Sequence, residues 1–377
     1  MTPTPLLPLD LGASLQRALL GYLPSAQSED EAQRLAASVR WSIKHDDMSG
    51  SMLGGNKVRK LEFELAVALQ QGATDVIACG GVQSNYARAA CAAAMQCGLR
   101  PHAVLRADDP SQGDEAFGWH GNALLHRMMG TNVRLTGRVP FKTGLLPVME
   151  ELAASIAAGG GGRKAHILPV GGSGADGVWG YLEAWAELEA QLRDVSSSDR
   201  PSDVFVATGS GGTAAGLAIA NALTGSRMRI HAVCVCDDAA YFLGHCDEMI
   251  EALGLEGSMD AASILSVVEG FKGSGYGRTT AEDLRAMHGI ALESGVLLDA
   301  TYTGKGMLGA LGCTAAALAG RDAASFGEAF HGLQGRHCLF WHTGGLFGAM
   351  DGMLSELMRS GEVPTAAAVE AAAPTSP

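Results

Sequence analysis

Twice in this 377-residue chain a short apolar run stops at glycines and a polar helix start follows at once. Val76–Cys79 leads into Gly80-Gly81-Val82-Gln83-Ser84-Asn85, and Val204–Thr208 leads into Gly209-Ser210-Gly211-Gly212-Thr213. A strand that turns straight into a helix needs backbone freedom, which glycine supplies. Strands spaced by single helices form parallel βαβ units with helices on both faces of the sheet. That pattern restricts the chain to an open α/β fold.

The alternation continues along the sequence. Periodicity predicts strands at 38–44, 75–79, 101–106, 132–136 and 165–170, with helices at 58–71, 84–97, through Leu124-Leu125-Met128, and at 143–158. A second set reads as strands 204–208, 230–236, 264–268 and 337–341, with helices 178–193, 214–223, 244–253, 280–293, 305–319 and 346–358. Val296-Leu297-Leu298 is a further short apolar segment, and residues up to about Ala36 read as polar and Pro-bearing. The expected division is a large domain of 1–56 with 171–363, a small domain of 57–170, and a disordered Ala-rich tail over 364–377.

A formal net charge of −13 argues against nucleic acid or an anionic membrane as partner. No apolar run approaches the length of a membrane span. The eight cysteines sit scattered in apolar segments, as reduced buried thiols of an intracellular enzyme do. Cys234, Cys236 and Cys246 with His231 and His245 offer zinc donors, but Cys-x-Cys here has strand alternation and lacks a second paired motif; no metal is expected. The cluster Glu29-Asp30-Glu31, with only Arg17 before it, is unlike an Arg-rich transit peptide. The cytosol is the expected location, with a mitochondrial or plastid matrix as alternative.

Chemistry concentrates at Gly54-Gly55-Asn56-Lys57-Val58-Arg59-Lys60-Leu61. Two glycines turn the backbone, and Lys57 falls at the start of a helix, whose positive end disfavours the charged amine. That favours a neutral nucleophile able to form a Schiff base; the alternative is an ordinary first-turn surface lysine. Lys60, one turn on, is expected to be a salt-bridging surface residue. The Gly209–Thr213 loop with its helix end is a phosphate cradle. As a dinucleotide fingerprint it is poor, because no acidic ribose partner stands out, and it is no P-loop, lacking Gly-Lys-Ser/Thr. Ser84 and Asn85 read either as helix-capping residues or as ligand donors.

Asp46-Asp47, Ser49-Gly50, Gly-Gly-Asn-Lys-x-Arg-Lys-Leu-Glu and then Gly-Gly-x-Gln-Ser-Asn together resemble the pyridoxal-phosphate enzymes of the D-cysteine desulfhydrase and aminocyclopropane-carboxylate deaminase family. The resemblance runs from about Trp41 to Leu354. It implies a tryptophan synthase β-like architecture (fold-type II) of two open, twisted, mostly parallel sheets flanked by helices. It also implies a pyridoxal 5'-phosphate site in the large domain, a small amino-acid substrate and a homodimer. Lys57 would carry the cofactor and act as base, Asn85 would bond its phenolic oxygen, and Ser210, Gly211, Gly212 and Thr213 would hold its phosphate. Thr343, in His342-Thr343-Gly344-Gly345, would meet the pyridine nitrogen. Ser84 would hold the substrate carboxylate and is a candidate proton donor or acceptor. Tyr302, in Leu297-Leu298-Asp299-Ala300-Thr301-Tyr302-Thr303-Gly304-Lys305, would stack or transfer a proton, and Tyr276 is a second pocket tyrosine. Tyr86 replaces the histidine of plant-type members in the substrate wall, and Thr303 stands where deaminases have an acidic residue. Trp119 and His120 are expected near the domain junction. The implied activity is α,β-elimination of D-cysteine to hydrogen sulfide, ammonia and pyruvate. The alternatives are an aminocyclopropane-carboxylate deaminase or related β-substituted amino-acid lyase, and a pyridoxal-phosphate- or nucleotide-binding regulatory protein without turnover.

Overall fold

The computed structural model describes residues 3–23, 29–50, 54–350 and 353–361. Among the described residues ten strands fall into two sheets: β1 (Leu6–Leu9), β2 (Arg40–His45), β3 (Asp75–Gly81), β4 (Arg100–Arg106), β5 (Asn132–Thr136), β6 (Ala165–Ile167), β7 (Asp203–Thr208), β8 (Arg229–Cys234), β9 (Leu265–Val268) and β10 (His337–His342). The larger sheet has the order β1-β2-β10-β7-β8-β9, and the smaller β5-β4-β3-β6. Every pairing is parallel except β1 with β2 at one edge. Doubly wound, mostly parallel sheets with helices on both faces are thus the observed architecture.

The central strands are apolar on both faces because both faces are covered. All six residues of β7 are buried, and its side chains alternate between two layers: Phe205 packs with Val233 and Phe340, while Val204 and Val206 pack with Ile230 and Leu339 on the other side. In the smaller sheet Ile77, Cys79 and Val104 face one layer, and Val76, Ala78 and Leu105 the other.

The N-terminal segment corrects the sequence expectation. Leu6–Leu9 is an edge strand, and Gly12–Leu20 and Glu29–Ala36 are helices. Leu11, Leu15 and Leu19, spaced by four, form one buried stripe against the larger sheet's core. Three other predictions also shift: the helix expected over 346–358 is described as Leu346–Ala349 and Met353–Ser360, the strand expected from 264 starts at Leu265 after the helical turn Ala261–Ile264, and β6 ends at Ile167. The 364–377 tail lies outside the described residues.

A buried charge network anchors the helix Lys57–Gln70. Arg59 pairs with Asp46 at 2.9 Å and with Glu187 at 3.1 Å, Lys44 also pairs with Glu187, and Trp341 Nε1 donates to Asp46 at 2.8 Å. The helix is thereby tied to β2, to β10 and to the helix Ala175–Gln191. All eight cysteines are free, and among the described residues no group of three His, Cys, Asp or Glu could hold a metal. No described helix is long and apolar enough to cross a membrane.

Candidate active site

The chain segments that follow β3, β7 and β10 converge on one cleft, the place where ligands sit in open α/β sheets. Lys57, Asn85 and Arg88 line it from one side; Gly209, Ser210, Gly211, Thr213, Tyr302 and Thr343 line it from the other.

Lys57 owes its place to the turn before it. Gly54 and Gly55 have φ of 62° and 97°, and a Cβ on Gly54 would lie 2.5 Å from the Asp47 carbonyl oxygen. Asn56 N–H then donates to Thr343 O at 3.1 Å, and its Nδ2 donates to Tyr181 Oη at 2.7 Å and Thr213 Oγ1 at 3.2 Å. Asn56 therefore joins three segments of the site, a role not apparent from its sequence neighbours. Lys57 opens the helix with a side chain partly accessible from the cleft, yet its amine is enclosed enough that desolvation lowers its pKa from 10.5 to about 8. The negative charges of Glu64 and Asp299 oppose that shift.

Lys60 is not the surface residue expected. It is fully buried, and its ammonium donates to Gly171 O at 3.1 Å. Burial, with the nearby charge of Lys57, pushes its pKa down. Tyr86 also departs from expectation: its hydroxyl donates to Glu64 Oε2 at 2.8 Å behind the cleft, and the side chain is 2% exposed. Burial raises the Glu64 carboxyl to about 7.

The loop after β7 has the form of an anion cradle. Gly211 has φ 86°, and a Cβ there would lie 2.6 Å from the His245 ring, so only glycine permits this path. The helix Gly212–Leu223 begins here and points its N-terminus at the loop. Ser210 Oγ accepts a hydrogen bond from Ser173 Oγ at 2.8 Å, while Gly212 N–H donates to Ser173 Oγ at 3.1 Å. Gly212 thus supports the cradle from behind, and Ser173 joins it unforeseen.

Tyr302 faces the cleft, and its hydroxyl meets that of Tyr276 at 2.5 Å. Burial raises both phenol pKa values, so both stay protonated. Asp299 fixes Tyr302 by accepting the N–H groups of Thr301, Tyr302 and Thr303 at 3.0, 2.9 and 2.9 Å. Thr303, expected beside substrate, is instead fully buried and donates its hydroxyl to Asp299 at 2.7 Å. Lys305 donates to Lys272 O and Gly275 O at 2.8 and 2.9 Å, which holds the loop of Tyr276.

Ser84 caps the helix Asn85–Gln96, accepting Ala87 N–H at 3.2 Å from just behind the wall. Asn85 enters the cleft at the helix start, joined by Arg88, which is 3% exposed. Desolvation lowers the Arg88 guanidinium to about 10. Trp119 is exposed, and Arg127 stacks on it 3.7 Å from the ring centre; His120 O accepts from Gln83 Nε2 at 3.1 Å.

These features suit pyridoxal 5'-phosphate. A glycine path and helix N-terminus suit an anion, an amine of depressed pKa stands in the same cleft, and no carboxylate lines it among the described residues. The comparisons agree. The chain is 35% identical over 333 residues to a bifunctional D-cysteine desulfhydrase/1-aminocyclopropane-1-carboxylate deaminase, mitochondrial, of Arabidopsis thaliana, covering 88% of this chain and 79% of the relative. It is 34% identical over 268 residues to a D-cysteine desulfhydrase of Klebsiella pneumoniae, covering 71% and 79%. A crystal structure described as an ACC deaminase homologue superposes with a TM-score of 0.73 at 28% identity, covering 95% of this chain and 94% of the other. The pyridoxal-phosphate dependent enzyme profile matches residues 27–324, and the chain belongs to that family.

Proposed function

We propose that the protein catalyses α,β-elimination of D-cysteine, releasing hydrogen sulfide, ammonia and pyruvate. The observation that carries this reading is a cleft in which the depressed amine of Lys57 stands near the neutral hydroxyl side chain of Thr343, with no carboxylate in the lining among the described residues. The names of the Arabidopsis and Klebsiella relatives support it.

When bound, pyridoxal phosphate supplies the electron sink that makes an α-proton labile. In this assignment Lys57 would hold its aldehyde carbon, Asn85 its phenolic oxygen, Thr343 its ring nitrogen, and Ser210, Gly211 and Thr213 its phosphate, while Gly212, whose N–H is held by Ser173, braces the loop from behind. Lys57, with a pKa near 8, is roughly one-tenth neutral at pH 7, against a negligible fraction for an ordinary lysine. That neutral fraction lets it take the α-proton as base. Ser84, with the N-terminus it caps, would bind the substrate carboxylate. Tyr302 and Tyr276 share one short hydrogen bond and orient the substrate. A departing thiolate needs little acid help. Because Thr303 is committed to Asp299, discrimination from a deaminase rests on Thr343. A threonine hydroxyl cannot hold a proton on a ring nitrogen as a carboxylate would, and opening a cyclopropane makes the heavier demand on the sink.

The test is a panel of D-cysteine, L-cysteine, β-chloro-alanine and aminocyclopropane carboxylate, assayed for sulfide and keto acid. Sulfide from D-cysteine with little or no keto acid from aminocyclopropane carboxylate is expected. Efficient ring opening would make the protein a deaminase instead, and inertness towards the whole panel would leave a binding protein. The proposal includes a homodimer, supported by exposed Met48, Leu297 and Leu346 along one groove beside the cleft. Sedimentation at micromolar concentration checks it. It also includes a cytosolic location, which cell fractionation checks.

A further inference from the structure

The cleft is backed by an amide that does not itself line it. Asn122, fully buried at the start of the helix Gly121–Met128, makes four hydrogen bonds. Its backbone N–H donates to Gln83 Oε1 at 2.9 Å, and its side-chain Nδ2 donates both to Gln83 O at 2.9 Å and to Asn85 Oδ1 at 2.8 Å. Its Oδ1 accepts from Arg88 Nε at 3.1 Å.

Two of these partners admit only one orientation. Arg88 Nε can only donate, and the Gln83 carbonyl can only accept. A flipped Asn122 would set NH₂ against N–H on one side and oxygen against oxygen on the other. The orientation of Asn122 is therefore settled by its neighbours, and its remaining N–H points at Asn85. Asn85 must answer with Oδ1, which turns its own Nδ2 away from Asn122. That Nδ2 makes no hydrogen bond among the described residues, and Asn85 lines the cleft.

We infer that Asn122 is a positioning residue that locks the Asn85 amide with its donor end towards the cleft, so that the site selects a ligand oxygen acting as acceptor there. Arg88 sets the polarity of the chain of amides, Asn122 transmits it, and Asn85 delivers it. The inference deepens the proposed assignment of Asn85 to the cofactor's phenolic oxygen and rests on that assignment. An ionised phenolic oxygen accepts only, so an amide free to turn would offer it a repelling carbonyl in part of the population.

Asn122→Asp is close to isosteric and removes the donor. The carboxylate still accepts from Arg88 but forces Asn85 to turn its Nδ2 inward and offer Oδ1 to the cleft. With pyridoxal phosphate as probe, the Kd should rise about tenfold or more, and the pH midpoint of the visible band should move up by about one unit. In an Asn85→Ala background the same change should add almost nothing to either readout. Equal effects in both backgrounds would overturn the inference, as would an unchanged Kd and midpoint. If Asn122→Asp does not fold, the wild-type protein labelled with ¹⁵N-asparagine decides. The Asn85 side-chain NH₂ resonance, identified by its loss in Asn85→Ala, should shift on addition of pyridoxal phosphate, while that of Asn122 stays protected from exchange before and after. An unmoved Asn85 NH₂ or a rapidly exchanging Asn122 NH₂ would also overturn it. No substrate enters these measurements, so a failure of D-cysteine turnover is recorded separately.

Discussion

At Lys57 a helix start and burial act in the same direction. Both disfavour the ammonium form, so its amine loses its proton as pH rises through about 8 rather than 10.5. We therefore expect borohydride trapping of pyridoxal phosphate on the cofactor-free protein to rise with pH to a plateau above about 8, at a peptide containing Lys57. Lys57→Ala should abolish that adduct, the visible band and turnover. A reducible adduct persisting on Lys60 would reassign the site. Ser84→Ala tests a residue with two claims on it. Loss of the cap to Ala87 N–H should cost about 1 kcal/mol of stability. Loss of a carboxylate contact should weaken substrate by about 1.5–3 kcal/mol while leaving cofactor affinity nearly unchanged. A change in stability alone would reduce Ser84 to a cap. Lys57 and Ser210 could be placed from sequence because glycine turns and helix starts are local patterns, whereas Asn85 and Thr343 were singled out through the family resemblance of their motifs. Lys60, Tyr86 and Thr303 could not, since whether a polar side chain faces the cleft or a buried partner depends on segments distant in sequence. Lys60 meets Gly171, more than a hundred residues away.

Among the elements, the helix Lys57–Gln70 shows how a site is held by contacts outside it. Glu187, on the helix Ala175–Gln191, accepts from both Arg59 and Lys44, and these hydrogen bonds and charges lower its pKa from 4.5 to about 2 despite opposing desolvation. A carboxylate with a depressed folded-state pKa stabilises the fold fully above its ordinary value. The contribution is lost as pH falls from about 4.5 through about 2. Glu187→Gln should therefore cost about 3 kcal/mol in urea unfolding at pH 7, because two cations lose their partner. The gap from wild type should narrow at pH 3; an equal gap at both pH values would refute the pairing's role. The βαβ succession was legible because each strand is a compact apolar run. The N-terminal helices were obscured by their polar surroundings, although Leu11, Leu15 and Leu19 carry the helical spacing. The end of the helix Leu346–Ala349 at Met350 has no proline to mark it.

Across the whole molecule, the cleft takes its parts from both sheets. Lys57 and Asn85 begin helices whose apolar faces, through Leu61, Leu65, Ala87 and Ala90, pack with Val76 and Ala78 of the smaller sheet. Ser210, Thr213 and Thr343 follow strands of the larger one. We propose that residues 57–170 form the smaller domain, supported by all four strands of that sheet lying within them. A ligand bonded to both sides stabilises their joint arrangement, by about 2.7 kcal/mol at a free concentration a hundredfold above its Kd. Pyridoxal phosphate should accordingly raise the unfolding midpoint of the whole chain in urea, read by far-ultraviolet circular dichroism. Inorganic phosphate, which can occupy only the cradle after β7, should do less even at saturation. Lys57→Ala should lower the response to pyridoxal phosphate towards that of phosphate, since the covalent anchor on the smaller-domain side is gone and only the Asn85 contact remains there. Equal stabilisation of wild type and Lys57→Ala would show that the ligand makes no bond to Lys57, and this cleft would then not be the site of chemistry.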